Sequence, residues 1–393
     1  MKLANNTSVQ KYGFGVRHIQ LLCMWFAILT LFIARGSLGV AILAMTDEKR
    51  KNDSNIEIYE WDKKTQGLVL SSFFWGYAVM QIPAGLLSKR YGGKPIFLIS
   101  LLANGIVCGL LPTLVKYGGW QIACACRVVM GLSQACLYPA GHTLLGKWLP
   151  EQERTFYTSI VYAGAQLGLV IAMPVSGILA ETKLGWKMIF YSISCIMMIS
   201  TALWIFFSAN SPKDHRLTTE SEREYIERGL NSTANRKLKT PWKEMFKSKG
   251  LWATMSTHAG STVCYMLFFN EMPTYLEKAL GISLKNSAFL SALPYLGMIL
   301  GTIGSAGVCE KIYNKGYLSL STCRKLFNSI AFCTPEQKSI AIVSLIATLT
   351  LNGFAAAGFI MSPLDMSPNY AGVMFAISNF VANIGSVLTP IRK

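Results

Sequence analysis

Two arginines stand inside stretches that otherwise read as lipid-soluble. Arg35 is the only charged residue from Leu21 to Met45, a run of 25. Arg127 lies in a second apolar run near 118–146. A guanidinium at the bilayer centre costs about 2.5–3.5 kcal/mol on insertion scales, so each needs a compensating partner. Fully embedded positions contain Arg35, Arg127, His142 and His258 but no Asp or Glu, while Glu271 and Asp365 sit at span ends within reach of water. Buried cations with no encoded acid line a water-filled cavity and take their counter-charge from an arriving anion. Arginine suits that task, because its planar fork grips carboxylate or phosphate oxygens in pairs and never deprotonates. The competing role is bonding of backbone carbonyls at a kink, or reaching the interface along the stem. Arg35, 14 residues into its span, is badly placed for the latter.

The run carrying Arg127 has a polar stripe. Arg127, Gly131, Gln134, Tyr138 and His142 follow at steps of four, three, four and four, hence on one helical face. Such a face looks into a cavity, with Pro139 loosening the helix beside it. Tyr138 and Gln134 serve equally well as helix–helix contacts, and His142 is either a titrating group or a satisfied structural histidine. Substrate contacts are therefore expected at Arg35, Arg127, Gln134, Tyr138 and His142. No metal-ligand spacing, nucleophile elbow or phosphate-cradling glycine loop accompanies them, so the chain does not read as an enzyme and no metal or organic cofactor is expected. Cys124 and Cys126 sit two apart inside an apolar helix and read as small hydrophobes.

The elements that must hold these residues are membrane helices. The chain has 393 residues, 52% hydrophobic and only 15% charged, with mean hydropathy +0.36; a soluble domain carries about 25% charged residues. A span needs about 20 apolar residues. Segments 21–45, 65–88, 95–115, 118–146, 155–180, 188–208, 251–270, 286–309, 339–362 and 369–391 meet that. The expected class is an all-α integral membrane bundle. The net charge of +17 reads as topology before any nucleic-acid binding. Lys89, Arg90 and Lys94, then Lys147 and Arg154, then ten Lys/Arg in 209–250 mark cytoplasmic loops under the positive-inside rule. The mixed loop 46–64 lies outside, where Asn52 opens a glycosylation sequon; Asn231 opens another in a loop placed inside. The first 20 residues are too polar for a cleavable leader, so the first span serves as an uncleaved signal anchor.

Residues 209–250 divide the chain into an N-terminal bundle, 1–208, and a C-terminal part, 251–393. Within the linker a short surface helix is capped by Thr219, with Glu222 completing a capping box. AGLLSKRYGGK at 84–94 is echoed by AGVCEKIYNKG at 306–316, with Ala, Gly, Lys and Tyr at the same offsets. Such repetition marks transporters built of two related bundles around a midplane site. The second half is shorter than the first: 325–334 is too short to cross, and the chain stops after the span at 369–391. On that reading the ninth span is shortened and the twelfth absent.

With these residues in place the sequence resembles the major facilitator superfamily. GLLSKRYGGK at 85–94 is similar to its signature loop, which implies a gating role for Gly85, Lys89, Arg90 and Gly92; the signature usually has an acid where Lys89 stands. More specifically it resembles the anion–cation symporter family of sodium–phosphate, vesicular glutamate and sialic acid transporters. SFFWGY at 72–77 with QIP at 81–83, YPA at 138–140, and LDMSPNYAG at 364–372 are its hallmarks, and the pattern is closest to insect inorganic phosphate cotransporters. By that resemblance Arg35 and Arg127 fall on the two arginines that hold the family's anionic substrate, and His142 on a family histidine. Three departures follow. Gln134 stands for the proton-sensing Glu, Leu70 for a vesicular His, and Ser261 for a vesicular Arg. They favour a sodium-coupled or uncoupled anion mode, with Na+ ahead of H+ as any co-transported ion. The expectation is a multi-pass, monomeric secondary transporter of a small organic or inorganic anion, in the plasma membrane or a lysosomal or vesicular membrane, with the lipid bilayer and not nucleic acid as its surroundings. The alternative is a non-transporting truncated product acting as a binding or scaffold protein.

Overall fold

The computed structural model describes residues 13–46, 56–230, 240–262, 284–315, 350–356 and 358–388, with isolated positions 317, 319 and 322. The expected shortened and missing spans, and both sequons, lie outside these residues or at their edges.

The first half is a bundle of long apolar helices: α1 (Val16–Met45), α2 (Lys63–Tyr91), α3 (Gly93–Gln134), α4 (Leu137–Trp148), α5 (Glu151–Ala180) and α6 (Trp186–Phe207). Five helical stretches here are long and apolar enough to cross a membrane, and the stretch Gly93–Trp148 has 56 residues. At 1.5 Å per residue that is about 84 Å, more than twice a bilayer core. Gly119, with φ 58° and ψ −149°, turns it back on itself, so it crosses twice and the half has six crossings. Every span expected from 21 to 208 corresponds to one of these.

Helices in lipid gain little from the hydrophobic effect and associate through close packing. Small residues set the crossings here. Gly164 and Gly168 on α5 lie against the Trp25 and Leu29 carbonyls of α1. Gly131 and Gly76 let α2 and α3 touch backbone to backbone: a Cβ at Gly131 would stand 2.0 Å from the Phe73 carbonyl oxygen. The largest buried rings are anchored by their indole N–H groups, with Trp204 donating to the Lys94 carbonyl at 2.9 Å and Trp186 to that of Glu57 at 2.8 Å. Between α2 and α3 the chain turns at Gly92 (φ 85°), where a side chain would be both strained and driven into Asn210.

The linker helix α7 (Glu220–Gly229) starts at Thr219, whose side chain accepts from the Glu222 N–H. The expected capping box is only half formed. The Glu222 carboxylate, 1% exposed, instead accepts from the backbone N–H groups of Val16 (3.0 Å) and Arg17 (2.9 Å), so it caps α1. The buried Arg17 side chain pairs with Glu153 at 3.1 Å and with Glu222 at 3.7 Å. Tyr225 donates to Glu153 at 2.9 Å; burial and that bond push its hydroxyl up to about 12. The linker is thus bolted to the end of the first half at which α1 and α5 begin.

In the second half, the short α8 (Trp242–Lys247) is followed by α9, which begins at 249 and is described to 262. Then come α10 (Leu284–Asn314), α11 (Ser362–Met366) and α12 (Ala371–Leu388). The repeated segments include the last turns of α2, to Tyr91, and of α10, to Asn314. Two seams join the halves. Along α5–α10, the Phe156 N–H donates to Glu310 at 2.9 Å, Tyr313 to Glu151 at 3.3 Å, and Asn314 to the Gln152 carbonyl at 3.2 Å. Along α2–α12 and α4–α12, a Cβ at Gly85 would be 2.9 Å from that of Ala376, and one at Gly372 2.6 Å from the Pro139 carbonyl oxygen. These contacts gather at the end where the basic loops lie, so that end is closed.

Candidate anion site

Arg35, on α1, is half-buried; Arg127, on α3, is 3% exposed. The α2–α3 crossing at Gly76 and Gly131 brings Phe73 between them. The Phe73 ring centre is 4.9 Å from the Arg35 guanidinium carbon and 4.7 Å from that of Arg127, so the two carbons are no more than about 10 Å apart. Phe32, Phe74 and Tyr77 also surround Arg35, at 5.6, 5.3 and 5.2 Å. Aromatic faces compensate a cation by about 0.5–2 kcal/mol each. They do not accept from the N–H groups in the guanidinium plane. Arg127 Nε and Nη1 are buried without a hydrogen-bond partner, and among the described residues neither arginine forms an ion pair. The rings stabilise the charge and leave the donors free for an acceptor.

The remaining expected site residues are divided. The stripe 127–142 passes through an irregular turn at 135–136: both residues keep α-helical φ/ψ, but Pro139 has no N–H for the Ala135 carbonyl one turn back. Gly131 is spent on the crossing with α2. The Gln134 amide donates to Asn104 Oδ1 at 2.8 Å, and Asn104 in turn donates to Ser133 and to the Ser100 carbonyl, a closed buried network on α3. The Gln134 amide is therefore engaged within α3. Tyr138 lies edge-on to Phe32 at 6.3 Å, which links it to the ring cluster around Arg35, and stacks on Phe375 of α12 at 5.5 Å. His142, fully buried, has no partner on either ring nitrogen; it stacks on Phe375 at 4.3 Å and tilts against Tyr162 at 5.3 Å. His258 also packs against Phe375, at 5.2 Å, and shares a hydrogen bond with Ser378 at 2.9 Å. Leu70 is exposed, and Ser261 accepts from Asn352 at 3.2 Å.

The expected gating residues sit at the closed end. Gly85 makes the α2–α12 crossing. Lys89 donates to Thr240 at 3.0 Å and lies 4.4 Å from the Tyr370 ring centre. Arg90 lies against Tyr91, and Gly92 forms the turn. Several residues of the site were not singled out from the sequence: Phe73, Tyr77, Tyr162, Phe375 and Asn379. Phe73 and Tyr77 lay within SFFWGY, and Asn379 with Asn383 was a polar pair at helical spacing in an apolar span. Among the described residues no group of three or more His, Cys, Asp or Glu could hold a metal.

Comparison with known proteins bears on the fold and the family. The solved structures of the E. coli fucose:proton symporter and of a major facilitator transporter in the outward conformation each superpose with a TM-score of 0.62, at 14% and 13% identity; they cover 95% and 96% of this chain and 90% and 91% of theirs. At that identity they show the fold alone. Among curated proteins, the "Putative inorganic phosphate cotransporter" of Drosophila melanogaster is 31% identical across 96% of this chain and 78% of its own length. Sialin of Homo sapiens is 30% identical (93% and 80%), and human vesicular glutamate transporter 2 is 30% identical (97% and 68%). Residues 24–390 match the Major Facilitator Superfamily. The chain is an all-helical, multi-pass membrane transporter of that superfamily, in the group that contains the inorganic phosphate cotransporters, sialin and the vesicular glutamate transporters.

Proposed function

We propose that the protein is a secondary transporter of a small organic or inorganic anion, phosphate-like or carboxylate, gripped between Arg35 and Arg127. The observation that carries this is the pair of guanidiniums sharing Phe73, with the Arg127 donors buried and unmatched. A buried donor left without an acceptor costs about 1–3 kcal/mol, more when charged, and an anion's oxygens remove that cost. The closed end then opens by rocking of the two halves about the seams α5–α10 and α2–α12, which exposes the anion to the other side.

Coupling to Na+ is preferred over H+. At the place of the acid that the family resemblance associates with proton sensing stands Gln134, an amide engaged with Asn104. Uptake of labelled phosphate, glutamate and glucuronate into proteoliposomes, with and without a Na+ gradient, tests both parts. Arg35→Ala and Arg127→Ala are expected to abolish uptake at undiminished reconstitution. Normal uptake by both variants refutes the anion site, and Na+-independent, H+-driven uptake refutes the coupling.

A further inference from the structure

Tyr77 is held from two sides. Its ring belongs to the cluster around Arg35, 5.2 Å from the guanidinium carbon, and stacks on Phe73 at 5.7 Å. Its hydroxyl accepts a hydrogen bond from Asn379 Nδ2 of α12 at 3.1 Å. The same amide donates to Gln81 Oε1, one turn along α2, also at 3.1 Å. Asn379 is itself fixed, because its side-chain and main-chain oxygens accept from Asn383 at 2.9 and 2.7 Å. Asn379 is 6% exposed and both its partners are buried. Tyr77 and Gln81 lie on the first half and Asn379 on the second, so these bonds cross the seam whose tighter part is the Gly85–Ala376 contact two turns further along.

Chemistry gives this bridge a direction. A phenol that accepts from Asn379 keeps its own O–H proton, and among the described residues that proton meets no acceptor. The tyrosine is thus held with its ring beside a bare guanidinium and its donor free. Buried hydrogen bonds of this kind stabilise the fold when made and cost more than they gave when one partner is lost. The bridge can exist only while α2 and α12 are together. The placement of Tyr77 beside Arg35 and the closed state of the seam are then one event.

We propose that Asn379 is a positioning residue that couples the anion site to closure of the halves, acting through Tyr77 and Gln81. This rests on the reading that the arginine pair takes an anion. Seam closure brings Tyr77 into place against Arg35, and opening of the seam releases it and loosens the grip on cargo.

Two measurements test this, with Asn379→Leu, Tyr77→Phe, the double variant and Asn379→Gln, each checked for thermal melting. The first is uptake of labelled phosphate, glutamate and glucuronate in proteoliposomes. Each single change is expected to lower kcat/KM about tenfold, the double change no further, and Asn379→Gln to recover part of the loss. The second needs no anion: spin labels at Lys213→Cys and Lys315→Cys, on a background with reactive cysteines replaced, report the distance between the cytoplasmic ends of the halves. Asn379→Leu is expected to shift that distribution to longer distances. Additive losses in the double variant overturn the proposal, and so does an unchanged distance distribution. Because the second measurement holds no anion, a protein that transports none of the three anions fails the anion-site reading while the coupling is still decided by distance.

Discussion

Replacing Arg127 with methionine separates a functional charge from a structural one. The change keeps the length and apolar stem of the side chain and deletes the guanidinium. In the unliganded protein that group stands buried with Nε and Nη1 unmatched. The Phe73 face lies 4.7 Å from it as a compensating contact. Keeping the cation at depth costs about 2.5–3.5 kcal/mol, and a desolvated aromatic contact returns about 1–2. Arg127→Met is therefore expected to leave the empty protein folded and more stable by about 1–2 kcal/mol. Its response to cargo should vanish. An anion at about 100 times its Kd stabilises the native protein by about 2.7 kcal/mol, and the variant should show none of this. The assay is thermal unfolding in detergent at constant ionic strength, with phosphate, glutamate or glucuronate added and chloride as the control. Arg127→Lys, which keeps charge but loses the fork, should give a weakened shift. A methionine variant destabilised by about 3 kcal/mol or more would mean that protein groups satisfy the guanidinium, and the reasoning would fail. An undiminished anion shift in the variant would refute it equally.

Other perturbations test the scaffold. Gly131→Ala puts a methyl 2.0 Å from the Phe73 carbonyl oxygen, so α2 and α3 must part and Phe73 leaves the arginines; the expected result is poor recovery of monodisperse protein and, in what folds, lost uptake. Glu222→Ala removes the cap of α1 and one partner of the buried Arg17, which should cost about 3 kcal/mol in chemical unfolding, against about 1 for Tyr225→Phe. At the opposite end from the linker, burial raises the Glu57 carboxyl, but bonds and charge from Lys116 and Lys187 outweigh it and hold the group below the usual carboxylate range. A depressed acid contributes stability that is present above its unfolded pKa and is lost as pH falls through the folded one. The strap at Glu57 should therefore stay in place at pH 5, as Trp186 fluorescence would report, and release only at more acidic pH; Glu57→Gln should abolish that transition.

Much of this molecule is written in one dimension. A bilayer solvent demands runs of about 20 apolar residues, so the six crossings of the first half and the polar linker could be read directly. So could the anomaly of arginines at depth, because the missing acids are a matter of composition. What the sequence could not supply is which groups meet across the bundle. The even spacing from Arg127 to His142 implied one face. The bond from Gln134 to Asn104 and the stacking of Tyr138 and His142 on Phe375 divided that face between a closed polar network and a ring cluster. The Glu222 carboxylate, three residues past a cap, looked local and instead serves a helix that begins 206 positions earlier. Phe73 and Tyr77 belong to the site only because two glycines let α2 and α3 touch, and Asn379 only because α12 lies across α2. Hydropathy and charge act residue by residue and so survive in sequence. Aromatic faces and hydrogen bonds act over a few ångströms between distant segments, and packing alone decides those neighbours.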